Sequence, residues 1–169
     1  MNYPINQFPS IRWILSVLAS LLLSAAPSYA CKVKAIFVEP ADDAPDKAVL
    51  VVGKNFVDID LPQRNLSTPI EITGGEIGIG VLPTKPSQLD MPASMPRFII
   101  PPEWTHCILI FFHDPANKVF PARIIPVNTS AADFPPGHTI IFNVTTATLA
   151  AKFGSDLVRV MPGKSVIVK

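Results

Sequence analysis

Trp104-Thr-His-Cys-Ile-Leu-Ile-Phe-Phe-His113, then Asp114-Pro-Ala-Asn-Lys118, then Val119-Phe-Pro-Ala-Arg-Ile-Ile-Pro-Val127 is the stretch that decides the fold. Two runs rich in β-branched and aromatic residues flank a cluster of turn formers, the pattern of a β-hairpin. In the first run Cys107, Leu109 and Phe111 share one parity and Ile108, Ile110 and Phe112 the other. Both faces are apolar, which predicts an interior strand covered on both sides. The second run carries Pro121 and Pro126. Proline cannot donate to a ladder, so this strand belongs at a sheet edge or carries bulges.

Working outward, the 169 residues are 49% hydrophobic and 16% charged. That length favours one domain with a sizeable core. Nineteen prolines break long helices and favour short strands with irregular connections. Arg12 is the only charged side chain before residue 31, and without it 13 basic residues balance 13 acidic ones. Lys and Arg are scattered along the chain, which argues against a nucleic-acid partner.

Residues 1–30 read as a secretory signal peptide. Arg12 supplies the positive charge, Trp13 to Ala26 the apolar run, and Ser28-Tyr29-Ala30 the cleavage site. The apolar run is too short for a permanent span, so no transmembrane segment is expected after cleavage. Cleavage leaves Cys31 at the mature N-terminus. Ala30-Cys31 matches half of a bacterial lipoprotein signal, which makes Cys31 a lipidation candidate. Cys107 is the only other cysteine, and a Cys31–Cys107 disulfide would close a loop of about 76 residues, worth roughly 4 kcal/mol in the chain-entropy model. Lipidation and bridging exclude one another, and two free buried thiols are the third state.

From residue 31 to 169 the pattern predicts one all-β domain. Lys32 to Val38 alternates, and Ala48–Val52 and Phe56–Leu61 flank a Gly53-Lys54-Asn55 turn. Ile70–Ile72 is a further strand, and Gly74-Gly75 a turn before a strand whose glycines permit a bulge or close backbone approach. Six prolines between Pro83 and Pro102 make a long connection containing a short edge strand, Arg97–Ile100, and such a connection is a candidate contact surface. Strands are also expected at Gly137–Asn143, Asp156–Met161 and Ser165–Lys169. Between the first two, a short helix through Lys152 is expected, capped by Thr145 or Thr146, with Leu149 and Phe153 inward and Gly154 at its end. About ten short strands at regular spacing predict a single antiparallel β-sandwich, Ig-like or related, preceded by a signal-peptide helix.

The tail, Gly137-x4-Phe142-Asn143, then Gly154, then Pro162-Gly163 before a final strand, resembles small uncharacterised exported all-β proteins of Gram-negative bacteria. The resemblance covers the last third and rests on turn and core residues. It implies a fold and no catalytic residue.

Chemistry is thinly signalled. His106, His113 and His138, with Cys107 and Met161, are the only set that suggests a metal or redox centre. Cys107 and His113 share a strand face, but six residues separate them by roughly 20 Å. His106 points away from Cys107. No cofactor is expected, and these histidines stand only as an alternative metal reading. Asp42-Asp43 lacks the glycine spacing of a calcium loop, and Asp58 and Asp60 fit the wet face of a strand. The glycines at 74–80 lack the order of a phosphate cradle. Gly-x-Ser-x-Gly is absent, and a buried Cys107 would be inert. Three Asn-x-Ser/Thr triplets, at Asn65, Asn128 and Asn143, matter only in a eukaryotic source. The sequence therefore predicts a non-catalytic protein exported to the periplasm, outer-membrane surface or extracellular space, acting there by binding or structural assembly with a protein or envelope component.

Overall fold

The computed structural model describes residues 30–73, 75–86 and 91–169, with backbone alone at 75–77. The expected signal peptide, apart from Ala30, lies outside the described residues, as does Gly74 of the expected turn. Twelve strands are described: β1 (Ala30–Val38), β2 (Lys47–Val52), β3 (Asn55–Asp60), β4 (Ile70–Thr73), β5 (Gly75–Leu82), β6 (Arg97–Ile100), β7 (His106–His113), β8 (Ala122–Asn128), β9 (Thr139–Phe142), β10 (Leu149–Phe153), β11 (Asp156–Val160) and β12 (Ser165–Val168). They form two four-stranded sheets, β4-β1-β7-β8 and β3-β2-β5-β6, and two ribbons, β9-β12 and β10-β11. The described part is all-β, with no helix among the described residues.

Alternation sets which residues enter the core. On β1, Val33, Ala35 and Phe37 are buried while Lys32 and Lys34 are exposed. On β7, Cys107, Leu109 and Phe111 are buried. These join Ala48 and Leu50 of β2, Ile59 of β3, Ile79 and Val81 of β5, and Phe98 and Ile100 of β6 in one hydrophobic cluster. Both four-stranded sheets thus contribute to a single core. At its centre the Phe111 ring lies 6.1 Å from Phe37 and 6.0 Å from Phe120. Truncating a ring so placed costs about 3–5 kcal/mol.

β7 is an interior strand, between β1 and β8, and proline-bearing β8 is an edge, as the sequence predicts. Two features of the pairing differ from expectation. β1 and β7 run parallel, with Val33 beside Cys107 and Phe37 beside Phe111, whereas every other pair is antiparallel. The outward side chains of β7, Ile108, Ile110 and Phe112, are only half-buried, so one face of this strand is fully covered rather than both.

The helix expected through Lys152 is not formed. Leu149–Phe153 is instead β10, paired with β11 from Leu149↔Val160 to Phe153↔Asp156. The two-residue loop Gly154-Ser155 opens with a glycine at φ 58°, the type II′ geometry that closes hairpins. Gly154, read as a helix stop, is a hairpin residue. Gly53 (φ 61°) closes β2 to β3 in the same way.

Small polar residues finish the sheet edges. Beyond the β1–β4 ladder, Ser67 takes over pairing with β1: its Oγ accepts from Ala35 N at 2.9 Å and its own N donates to Ala35 O at 2.9 Å. The register of β5 on β6 shifts between Gly75 and Ile79, the expected bulge. At Gly80 a Cβ would overlap the Sδ and Cε of Met95, the expected close approach.

Candidate functional site

Two ladders align a patch on the outer face of the β4-β1-β7-β8 sheet. Lys32 sits between Glu71 of β4 and His106 of β7, and Lys34 sits beside Ile108. His106 O accepts the N–H of Thr129 at 3.0 Å, extending the row to the chain leaving β8. Alternation turns Lys32, Lys34, His106 and Ile108 outward together, because their neighbours Val33, Ala35, Cys107 and Leu109 fill the core.

Leu66 and Pro69, from the loop before β4, complete the wall. The result is an open pocket of about 300 Å³, at the lower bound of ligand sites. Lys32, Lys34 and His106 line it together with the apolar Leu66, Pro69 and Ile108. His106 Nδ1 lies 3.1 Å from Thr105 Oγ1, which orients the ring and leaves Nε2 free to point away. Below it, buried Ser130 holds the start of β7, its Oγ accepting from Thr105 N at 3.0 Å and His106 N at 3.3 Å. Among the described residues the one salt bridge is Lys47–Asp60, at 3.8 Å, so the two pocket lysines are free to pair with an incoming anion. Glu71 is the carboxylate nearest in register, beside Lys32.

The residues singled out from sequence do not converge. His106 and His113 occupy opposite ends of β7, and His138 Nδ1 lies 3.3 Å from Pro136 O in a separate turn. Met161 is exposed and Cys107 buried. Among the described residues no three His, Cys, Asp or Glu side chains gather as a metal site.

Cys31 and Cys107 are both buried and both free, so the candidate disulfide is not formed and the thiols are in the third of the three states. Burial pushes the Cys31 thiol up to about 11 and Cys107 to about 12, the latter raised further by the neighbouring Cys31. Neither is a nucleophile at neutral pH.

Sequence reasoning missed the Lys32, Lys34 and His106 grouping. Lysines alternating on one strand were legible as a wet face. That His106 stands beside Lys32 depends on the parallel pairing of strands 74 residues apart, which no local pattern encodes. Comparison with protein-family models, with curated proteins and with solved structures finds no match to this chain.

Proposed function

We propose that this chain is an exported, non-catalytic protein that acts by binding in the cell envelope, and that the pocket at Lys32, Lys34 and His106 receives an anionic group of its partner. The two four-stranded sheets serve as the layers of an Ig-like β-sandwich, a scaffold that presents the pocket on its outer face. One observation carries the reading: cation-bearing and apolar side chains together line a pocket about 300 Å³ in volume. A small carboxylate or an acidic side chain with an apolar neighbour suits that lining, because charge orients the group and the apolar residues take its hydrocarbon. Envelope proteins and their exposed acidic loops are the partner class.

The test is capture from an envelope fraction with the native protein and a Lys32→Ala/Lys34→Ala/His106→Ala variant, checked for folding by circular dichroism. The native protein should retain partners that the variant loses. Identical captured sets would remove the pocket from the proposal. Fractionation with N-terminal sequencing tests export: a mature chain beginning at Cys31 is expected, and recovery of the intact chain from the cytoplasm would end that part of the reading.

A further inference from the structure

The last 26 residues differ in kind from the body that precedes them. Residues 31–143 carry nine basic and twelve acidic side chains, net −3, whereas residues 144–169 carry four basic and one acidic, net +3. Eight large hydrophobics are exposed among the described residues, and six of them (Val144, Leu149, Phe153, Leu157, Met161 and Ile167) lie in this segment. Positive charge and bare apolar surface therefore coincide, a combination that neither sheet-edge protection nor solubility requires.

The register gathers part of this set on one face of the β10–β11 ribbon, whereas Leu149 and Phe153, opposite Val160 and Asp156, take the other face. Along β11, Leu157 and Arg159 share a face, and Met161 continues their alternation just beyond the strand. Lys152 of β10 lies directly across from Leu157. Leu157 and Met161 are the two most exposed large hydrophobics described, at 68% and 62%, and they bracket Arg159. Lys164 follows in the turn at Pro162-Gly163, and Lys169 ends β12's segment.

We propose that this C-terminal ribbon docks on an anionic phospholipid surface. Leucine and methionine enter the boundary between headgroups and acyl chains, while lysine and arginine extend their stems along them and hold phosphates. A second copy of the chain offers opposite charge in the exposed loop with Glu39, Asp42, Asp43 and Asp46. That loop pairs its carboxylates with only proline and alanine, so it would leave Leu157 and Met161 in water. An anionic bilayer satisfies both halves of the surface. This docking is independent of the pocket on the β4-β1-β7-β8 sheet.

The experiment is co-sedimentation of the protein, with the N-terminus the cell leaves on it, using vesicles of phosphatidylcholine alone or mixed equally with phosphatidylglycerol. The preference for anionic over neutral vesicles is the quantity read. It should be at least tenfold for the native protein at low salt and fall as salt is raised. Lys152→Glu/Arg159→Glu should cut it by roughly fivefold or more per charge site. Leu157→Ser/Met161→Ser should weaken binding to anionic vesicles without abolishing the salt dependence. Lys47→Glu/Lys118→Glu, elsewhere on the surface, should change the preference far less. An equal partition on both vesicles, or a preference untouched by Lys152→Glu/Arg159→Glu, overturns the proposal. So does self-association that Asp42→Lys/Asp43→Lys abolishes in the absence of any lipid preference, since the ribbon's partner is then a second copy.

Discussion

Cys31 and Cys107 enter the same core from adjacent parallel strands, but Cys107 stands beside Val33, two residues along from Cys31. With strands roughly 4.8 Å apart and a rise of about 3.3 Å per residue, their Cα atoms are about 8 Å apart. A disulfide needs its Cα atoms within about 7 Å. Register, rather than distance in sequence, keeps these thiols apart.

Intact mass after export should show two free thiols and no diacylglycerol increment, because a lipid on Cys31 would have to draw a fully buried side chain out of the core. Thiol alkylation of the native protein at pH 8 should be negligible and become rapid on denaturation. Fast labelling of the folded chain, or a mass reporting either modification, would show that the N-terminal half of β1 is not seated as described.

The same burial makes an alkaline prediction. Both thiols are raised above their ordinary value of 9.0, to about 11 and about 12. Between pH 9 and those values the unfolded chain has lost protons that the folded chain keeps, so the slope of stability against pH is negative. The stabilisation is fully present below pH 9 and disappears as pH rises toward 11 and 12, at about 1.4 kcal/mol per pH unit for each thiol. Urea midpoints from pH 8 to 11 should fall more steeply for the native protein than for Cys107→Ala. Parallel curves would contradict the burial of that thiol.

At Gly80 the close approach of Met95 leaves no room for a methyl group. Met95 also packs with Val49, Val51 and Leu82, so it cannot swing aside without disturbing that cluster. Gly80→Ala should destabilise by about 1–3 kcal/mol. Adding Met95→Ala should cost less than the sum of the two single changes, by about 1 kcal/mol, since the clash is removed with the side chain. Strict additivity in denaturant melts would show that the two positions do not touch.

Much of this fold was legible, and the failures have identifiable causes. Period-two patterns found β1 and β3, a run of β-branched and aromatic residues found β7, and proline placed β8 at an edge. Pairing direction was not legible, because β1 and β7 are joined through 67 intervening residues, and a strand looks the same from either orientation. The helix expected at Leu149–Phe153, where a strand forms, arose from an ambiguity of period. Leu149 and Phe153 satisfy i, i+4, yet Leu149, Ala151 and Phe153 also alternate, and pairing with β11 settled the matter in favour of strand. The cationic pocket and the basic ribbon arise from neighbours that only the fold brings together.

Gly154 tests that hairpin without a packing effect, for nothing lies within 4 Å of where its Cβ would stand. Its φ of 58° still disfavours an L-residue. Gly154→Val should weaken the β10–β11 ribbon by about 1–2 kcal/mol, and Gly154→Asn by less. Hydrogen exchange should quicken across 149–160 and stay unchanged in β1 and β7. A uniform loss of protection would mean that the ribbon and the larger sheets unfold as one unit.

Asn143 is the polar knot of the C-terminal ribbons, fully buried with every hydrogen-bonding group engaged. Its Nδ2 donates to Ala147 O at 2.7 Å and Val160 O at 2.8 Å, and its Oδ1 accepts from Thr145 N at 2.9 Å and Thr145 Oγ1 at 2.8 Å. Its backbone N donates to Lys164 O and its O accepts from Gly163 N, each at 2.9 Å. One side chain thus ties the end of β9 to β11, while its backbone holds the turn before β12. Asn143→Ala should cost about 2–4 kcal/mol, since it strands buried carbonyls and an N–H. Asn143→Asp is the sharper probe. Its carboxylate would face two carbonyl oxygens where the amide donated, so loss at pH 7 should exceed that of the alanine variant and ease as pH falls and the group takes up a proton. An aspartate variant as stable as the native chain at neutral pH would show that the Nδ2 bonds to Ala147 and Val160 do not hold the ribbons together.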